Sequence, residues 1–353
     1  MPSLFDPIAI GELQLRNRII MAPLTRCRAA AGRVPSELAL EYYRQRSSAG
    51  MIISEATAVS PMGVGYPDTP GIWSQEQVAG WKRITDSVHA QGGTILLQLW
   101  HVGRISDPMY LDGALPVAPS AIRPKGHVSL VRPQREFVTP RALATEEIPA
   151  IVESYRKGAE NARKAGFDGV EIHGANGYLL DQFLQSGTNR REDHYGGSLE
   201  NRARLLLDVT DAALSVWPRG RVGVHLAPRS DAHDISDDNR LNTFSYVAEQ
   251  LGKRGIAFIC TRESAGADSI GPGLKKIFGG IYIANENFDQ ALAEQWLQEG
   301  KADAVAFGKL FIANPDLVER FAQHAPLNAW RKELFYSSGA EGYVDYPRMG
   351  ENG

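Results

Sequence analysis

The sequence predicts an α/β protein folded as a single (β/α)8 TIM barrel, and three observations predict it. Along the chain, a polar helix-like stretch repeatedly ends in glycine and is followed by a short β-type apolar run. These runs are apolar on both faces, as strands of a parallel sheet covered by helices must be. No G-x-G-x-x-G follows the first run, although an open doubly wound sheet would more often carry one there. Eight such units in 353 residues favour closure into a barrel.

Taken in order, "LFDPIAIGELQLRNR" alternates around Gly11 and Glu12 and reads as an N-terminal hairpin closing the bottom of the barrel. The first barrel strand is expected at 17–22. "QRSSAGMIISEA" ends a helix at Gly50 and starts the second strand at 51–56, and "VHAQGGTILLQL" does the same at Gly92 for 94–99. Glycine just past a helix supplies the left-handed residue that closes the last turn. Residues 101–145 break the repeat, being rich in Pro and Gly ("PVAPSAIRPKGHVSLVRP"). They follow the third strand and emerge at the catalytic end, where a long irregular excursion is expected to be a cap or pocket wall. "NARKAGFDGVEIH" leads through Gly166 into 168–173, and 221–226 follows. "QLGKRGIAFIC" turns at Gly255 into 256–260, 280–284 comes next, and "LQEGKADAVAFG" turns at Gly300 into 303–307. No linker divides the chain, so residues 1–353 read as one domain.

Hydrophobic residues make up 43% and charged residues 22%, the balance of a globular protein with a substantial core. A net charge of −3 gives no reason to expect nucleic acid or an anionic membrane as partner. No apolar run approaches the roughly 20 residues that span a bilayer. The N-terminus lacks a basic segment followed by an apolar one, so no signal peptide is expected. Cys27 and Cys260 are the two cysteines, without CxxC spacing, which suits free thiols in a reducing cytoplasm.

In such barrels the chemistry sits where strands end. The strand ends offer Thr25, Gln98, His173, Asn176 and His225, with Gly308 and Lys309 after the eighth strand. Carboxylates are few, and the first strand has no HxH pair, which argues against a zinc hydrolase and leaves no metal expected. "SDAHDISDD" is acidic but contiguous, and reads as a solvated loop. Neutral amide and hydroxyl groups suit a flat heteroaromatic ring. Gly308 lets backbone N–H groups approach a phosphate and Lys309 adds a cation, at the usual phosphate position of this fold. Together they suggest flavin mononucleotide. "EIHGANGY" adds His173, Asn176 and Tyr178 within six residues of a strand end.

Several long motifs occur in one order: "MAPLTR", "GYPDTPGIWS", "QLWHVGR", "HGANGYLLDQFL", the "NRRxDxYGGSxENRxR" pattern at 189–204, and "FIANPDL". On these the chain resembles, along nearly its whole length, the Old Yellow Enzyme family of FMN-dependent ene-reductases. The likeness is strongest to the bacterial xenobiotic reductase and N-ethylmaleimide reductase branch. The resemblance implies that NAD(P)H reduces FMN, which then passes hydride from N5 to the β-carbon of an activated alkene, or reduces a nitrate ester or nitroaromatic. His173 and Asn176 would bind the substrate oxygen, and Tyr178 would deliver the proton to the α-carbon. Thr25 would bond the flavin C4 oxygen, with Pro23, Leu24 and Ala56 lining the ring and Gln98 on its pyrimidine edge. Glu286, Asn287, Gly308 and Lys309 would hold the phosphate. Tyr66, Trp100 and Tyr343 would frame the substrate pocket. One branch places a redox-sensitive Cys where Thr25 stands; Cys27 lies two residues later and does not inherit that role. The partners implied are NAD(P)H and an electrophilic small molecule, with monomer and homodimer both open.

Two residues depart from the family pattern. His225 stands where many members have Arg near flavin N1 and O2, so the anionic reduced flavin is expected to be stabilised less, or in a pH-dependent way. Lys309 replaces a common Arg, keeping the charge without the bidentate fork. The rival reading is a barrel aldolase or isomerase with a sugar phosphate in the same pocket. It would use Glu55 or Glu171 as base, although both read more easily as buried network partners.

Overall fold

The computed structural model describes residues 1–230 and 232–351. Asp231 of the acidic stretch and the last two residues of the expected 1–353 domain lie outside the described residues. The first two strands, β1 (Ile8–Ile10) and β2 (Leu13–Leu15), pair antiparallel with Ile8 opposite Leu15. Gly11 turns this hairpin at φ 58°, and a Cβ there would lie 2.3 Å from the Gly220 carbonyl oxygen. That oxygen accepts from the Glu12 N–H at 3.1 Å. Only glycine allows this approach, so the hairpin is tied to the barrel by its own turn. Ile10, Leu13 and Leu15 then pack against Ile20, Met51, Leu96, Phe258 and Ile283 as a plug of the barrel's lower end.

The remaining strands in chain order are β3 (Ile19–Met21), β4 (Met51–Ile53), β5 (Thr57–Ala58), β6 (Ile95–Trp100), β7 (Val117–Ala118) and β8 (Arg141–Ala142). They continue with β9 (Gly169–Gly174), β10 (Val222–Leu226), β11 (Phe258–Arg262), β12 (Ile281–Asn285) and β13 (Ala304–Phe307). Neighbours run β4-β3-β13-β12-β11-β10-β9-β6, and a β4–β6 pairing closes the ring. All eight pairings are parallel. Each expected run overlaps its strand. The second is shorter than expected because the ladder ends once the Ser54 N–H has donated to the Leu96 carbonyl at 2.9 Å, and the Glu55 N–H turns instead to the Tyr43 hydroxyl at 2.9 Å.

Covering helices begin at side-chain caps: Ser74, Ser198 and Asp289 each accept a backbone N–H from the first turn, which satisfies donors that helix geometry leaves free. Their apolar faces join the outer sheet surface in one continuous core that includes Trp81, Phe167, Phe183, Leu206, Phe244 and Trp296. No described helix is long and apolar enough to cross a membrane.

Strand register sets up the site. Gln98 on β6 lies level with Glu171 on β9. His225 on β10 lies level with both His173 on β9 and Cys260 on β11. The excursion 101–145 holds the short β7–β8 pair. Its Val128 and Phe137 pack behind Tyr66 and Trp100, so it backs the pocket wall, and none of its residues lines the cavity itself.

Candidate active site

A cavity of about 660 Å3 opens at the C-terminal mouth of the barrel. Pro23, Leu24 and Thr25 reach it after β3, Ala56 after β4, Gln98 and Trp100 on β6, His173 on β9 and His225 on β10. Glu286 and Asn287 line it after β12, and Gly308 and Lys309 after β13. Tyr66, Asn176 and Tyr178 complete the expected set.

Tyr343 is the exception and a correction to the sequence reading. It is fully buried and stacks on Tyr42 at 4.2 Å between ring centroids. The guanidinium groups of Arg26 and Arg28 lie 5.0 and 4.6 Å from its ring centre. Stacking between a tyrosine and two cations keeps it out of the cavity. The aromatic side chains that this C-terminal segment gives the lip are Trp330, Phe335 and Tyr336. Arg262 and His233 also line the cavity and were not singled out in the sequence. Arg262 carries no local signal beyond its place at a strand end, and His233 was hidden in the acidic loop.

The "HGANGY" turn explains how three polar side chains converge. Past Gly174, Asn176 and Gly177 adopt φ 59° and 73°, a conformation open to Gly and tolerated by Asn. The Gly177 N–H donates to Asp181 Oδ2 at 2.9 Å, and its carbonyl accepts from Gln182 Nε2 at 2.7 Å. A Cβ on Gly177 would sit 2.7 Å from the Ala232 carbonyl oxygen. The turn is therefore fixed from both sides. Asn176 Oδ1 accepts from Arg262 Nη1 at 3.0 Å, and among the described residues no acceptor engages its NH2.

His173 is buried, with its ring nearly parallel to Trp100 at 6.4 Å and edge-on to Tyr178 at 5.1 Å. Burial, and then the nearby His225, Arg262 and His233 charges, hold its proton affinity well below the usual histidine range. It is thus a neutral imidazole, suited to donating a hydrogen bond rather than a proton. The Tyr178 hydroxyl lies 2.8 Å from that of Tyr66. Burial first, then Tyr66, raises the Tyr178 pKa well above its usual value, and burial pushes Tyr66 up to about 12. Both phenols keep their protons.

Deeper in, Gln98 Nε2 donates to Glu171 Oε2 at 2.7 Å, and His225 Nδ1 is 3.4 Å from the same oxygen. Burial alone would strip the His225 proton, but Cys260 and the Glu171 carboxylate outweigh it and raise the pKa to about 10. Burial also raises the Cys260 thiol. These neighbours push His225 toward keeping its positive charge, opposite to the direction expected from the sequence. Glu171, His225 and Cys260 bring ligand-type atoms within 4.8 Å of one another. Glu55 accepts from the Arg26 N–H at 3.1 Å and burial raises its pKa to about 7. It does not line the cavity, which removes it as an aldolase base.

Two buried polar atoms on residues that line the cavity, His173 Nδ1 and Trp100 Nε1, have no partner among the described residues. A buried polar group left unpaired costs about 1–3 kcal/mol, so such groups mark where a ligand's polar atoms belong. Unpaired ring nitrogens beside an apolar wall fit the edge and face of a flavin ring. At the other end, Glu286 and Asn287 have φ 106° and 57°. Arg262 Nε holds the Glu286 carboxylate at 2.5 Å, which offsets its negative charge at this end of the cavity.

The chain matches the family model described as NADH:flavin oxidoreductase / NADH oxidase over residues 3–328. It is 42% identical to 12-oxophytodienoate reductase 1 of Oryza sativa subsp. japonica, across 99% of this chain and 93% of that protein. It is 41% identical to 12-oxophytodienoate reductase 2 of Arabidopsis thaliana, across 98% and 96%. Among solved structures, morphinone reductase in complex with tetrahydroNAD superposes with a TM-score of 0.95 at 48% identity, across 99% of this chain and 98% of that one. The Old Yellow Enzyme homologue from Zymomonas mobilis gives 0.95 at 44% identity, across 98% and 99%. With its closed barrel and the polar ring at its mouth, the chain belongs to the NADH:flavin oxidoreductase / NADH oxidase family, the FMN-dependent Old Yellow Enzymes.

Proposed function

We propose that this enzyme uses NAD(P)H to reduce the activated C=C bond of α,β-unsaturated carbonyl compounds and nitroalkenes, and also acts on nitrate esters or nitroaromatics. The reading rests on one observation: a neutral His173, an Asn176 with its NH2 unused and a protonated Tyr178 share one turn on one cavity. When bound, FMN supplies the two-electron chemistry, accepting hydride from NAD(P)H and giving it to the second substrate.

In this proposal Thr25, Gln98 and His225 hold the pyrimidine end, Pro23, Leu24 and Ala56 flank the ring, and Glu286, Asn287, Gly308 and Lys309 hold the phosphate. His173 and Asn176 donate to the carbonyl or nitro oxygen and draw electron density onto it, leaving the β-carbon electron-poor. Tyr178 gives a proton to the α-carbon. Tyr66 and Trp100 wall the pocket, backed by residues 101–145, and Tyr336 replaces Tyr343 at the lip. The nicotinamide carboxamide presents a similar oxygen, so the same pair serves both partners in turn.

Purified protein should absorb in the flavin region and consume NAD(P)H steadily with 2-cyclohexenone. Protein that stays colourless after incubation with FMN would refute the reading. An aldolase or isomerase would need no flavin.

A further inference from the structure

A second set of contacts leads away from Tyr178. Its hydroxyl is 2.8 Å from Tyr66 Oη, and Tyr66 Oη is 3.3 Å from His233 Nε2. His233 Nδ1 is 2.6 Å from the Asn176 carbonyl oxygen. That oxygen can only accept, so Nδ1 carries the hydrogen and Nε2 is the atom that gains or loses a proton. We propose that Tyr178, Tyr66 and His233 form a proton wire, with His233 as the residue that reloads Tyr178 from solvent during turnover. The proposal rests on the ene-reductase reading above.

The atoms balance without any further reactant. Tyr178 Oη–H breaks as the C–H bond forms at the substrate α-carbon. Tyr66 passes its hydroxyl proton to the Tyr178 oxygen, His233 Nε2–H passes one to Tyr66, and His233 takes a proton from water. With Nε2 bare, the hydroxyls point outward, Tyr178 to Tyr66 to His233. A proton arriving at Nε2 reverses both and aims the Tyr178 hydrogen at the cavity. A route of this kind is needed because Tyr178 meets solvent through the cavity, which a bound substrate covers. His233 is partly exposed and sits on a loop instead of a strand end.

The local structure holds the last member in place. His233 itself has φ 61°, a left-handed conformation uncommon outside glycine that His, like Asn and Asp, adopts more readily than other residues. Buried Arg104 donates to the His233 and Asp234 carbonyl oxygens at 3.0 and 2.8 Å. The groups facing the imidazole are Tyr66, the Tyr178 ring at 5.0 Å and the Asn176 carbonyl, with the Arg104 and Arg262 charges beyond. On its own loop, the Asp234 carboxylate lies 3.5 Å from Lys125 Nζ. Burial first, opposed by the Asn176 contact and then reinforced by the two arginines, lowers the His233 pKa below its usual value. The imidazole is therefore a transient carrier that releases its proton readily.

The test uses the FMN-loaded full chain under anaerobic conditions, with 2-cyclohexenone reoxidising the reduced enzyme. In the wild type, the rate should fall as pH rises through the His233 titration and should show a solvent isotope effect. His233→Asn, which tolerates the same backbone conformation, should lose that limb and slow roughly tenfold or more, as expected when one proton-transfer partner is removed. Added imidazole should restore part of the rate. A His233→Asn enzyme that keeps the pH limb and the isotope effect would overturn the wire. As a second readout, 15N-histidine NMR should find the Nδ1–H tautomer at His233, with an Nε2 signal that moves in Tyr66→Phe. An Nε2–H tautomer, or no response to Tyr66→Phe, also overturns it. A wild type that the enone does not reoxidise refutes the ene-reductase reading, and the NMR result then decides the wire by itself.

Discussion

His173→Ala is expected to slow the reoxidation of the reduced enzyme by 2-cyclohexenone by about 10²- to 10³-fold, the usual cost of removing a donor to developing oxyanion charge. The expectation follows from the protonation state. His173 is buried, and its neighbours hold it neutral, so it acts as a fixed donor that needs no reorganisation. Asn176→Ala should show a smaller loss in the same direction, since one donor remains. Binding of a phenol in the oxidised enzyme should weaken in both variants, because a phenol oxygen competes for the same pair. Stopped-flow absorbance gives the rates and equilibrium titration gives the affinities. An unchanged rate in His173→Ala would remove this residue from the reaction.

Tyr178→Phe is expected to act on a different step. The ring and its contacts with Trp100 and His173 are kept, and only the O–H is lost. Enone reduction should slow roughly 10²-fold or more, within the range of general-acid catalysis. A nitroalkene should suffer much less, because hydride addition gives a nitronate, a weak base that persists until water protonates it. Comparing the two substrates in single turnover therefore separates proton delivery from hydride transfer. Equal slowing of both would point to disturbed substrate placement and against an acid role.

The barrel was legible because burial on both faces leaves a plain mark on a strand, and because glycine at helix ends punctuates the chain. All eight strands fell where apolar runs predicted them. The floor and turn of the site were legible too, since Gln98, His173 and His225 sit on strands whose register fixes them. What sequence could not resolve were side chains placed by contacts distant along the chain. Tyr336 and Tyr343 lie in one short segment, and only the stacking of Tyr343 on Tyr42, distant along the chain, decides which is buried. His225 read as a group able to lose its charge because Glu171 and Cys260 reach it from neighbouring strands. His233 looked like part of a solvated acidic loop until Arg104, some 130 residues earlier, was seen to pin it.

The central claim is that His173 and Asn176 grip an oxygen above an FMN lying across the barrel mouth. A crystal structure of the FMN-loaded protein with p-hydroxybenzaldehyde tests it most directly. The account predicts the flavin ring along Pro23 to Thr25 and Gln98, with the phenol oxygen within hydrogen-bond distance of both side chains. A flavin bound elsewhere, or a phenol oxygen turned away from His173 and Asn176, would contradict it.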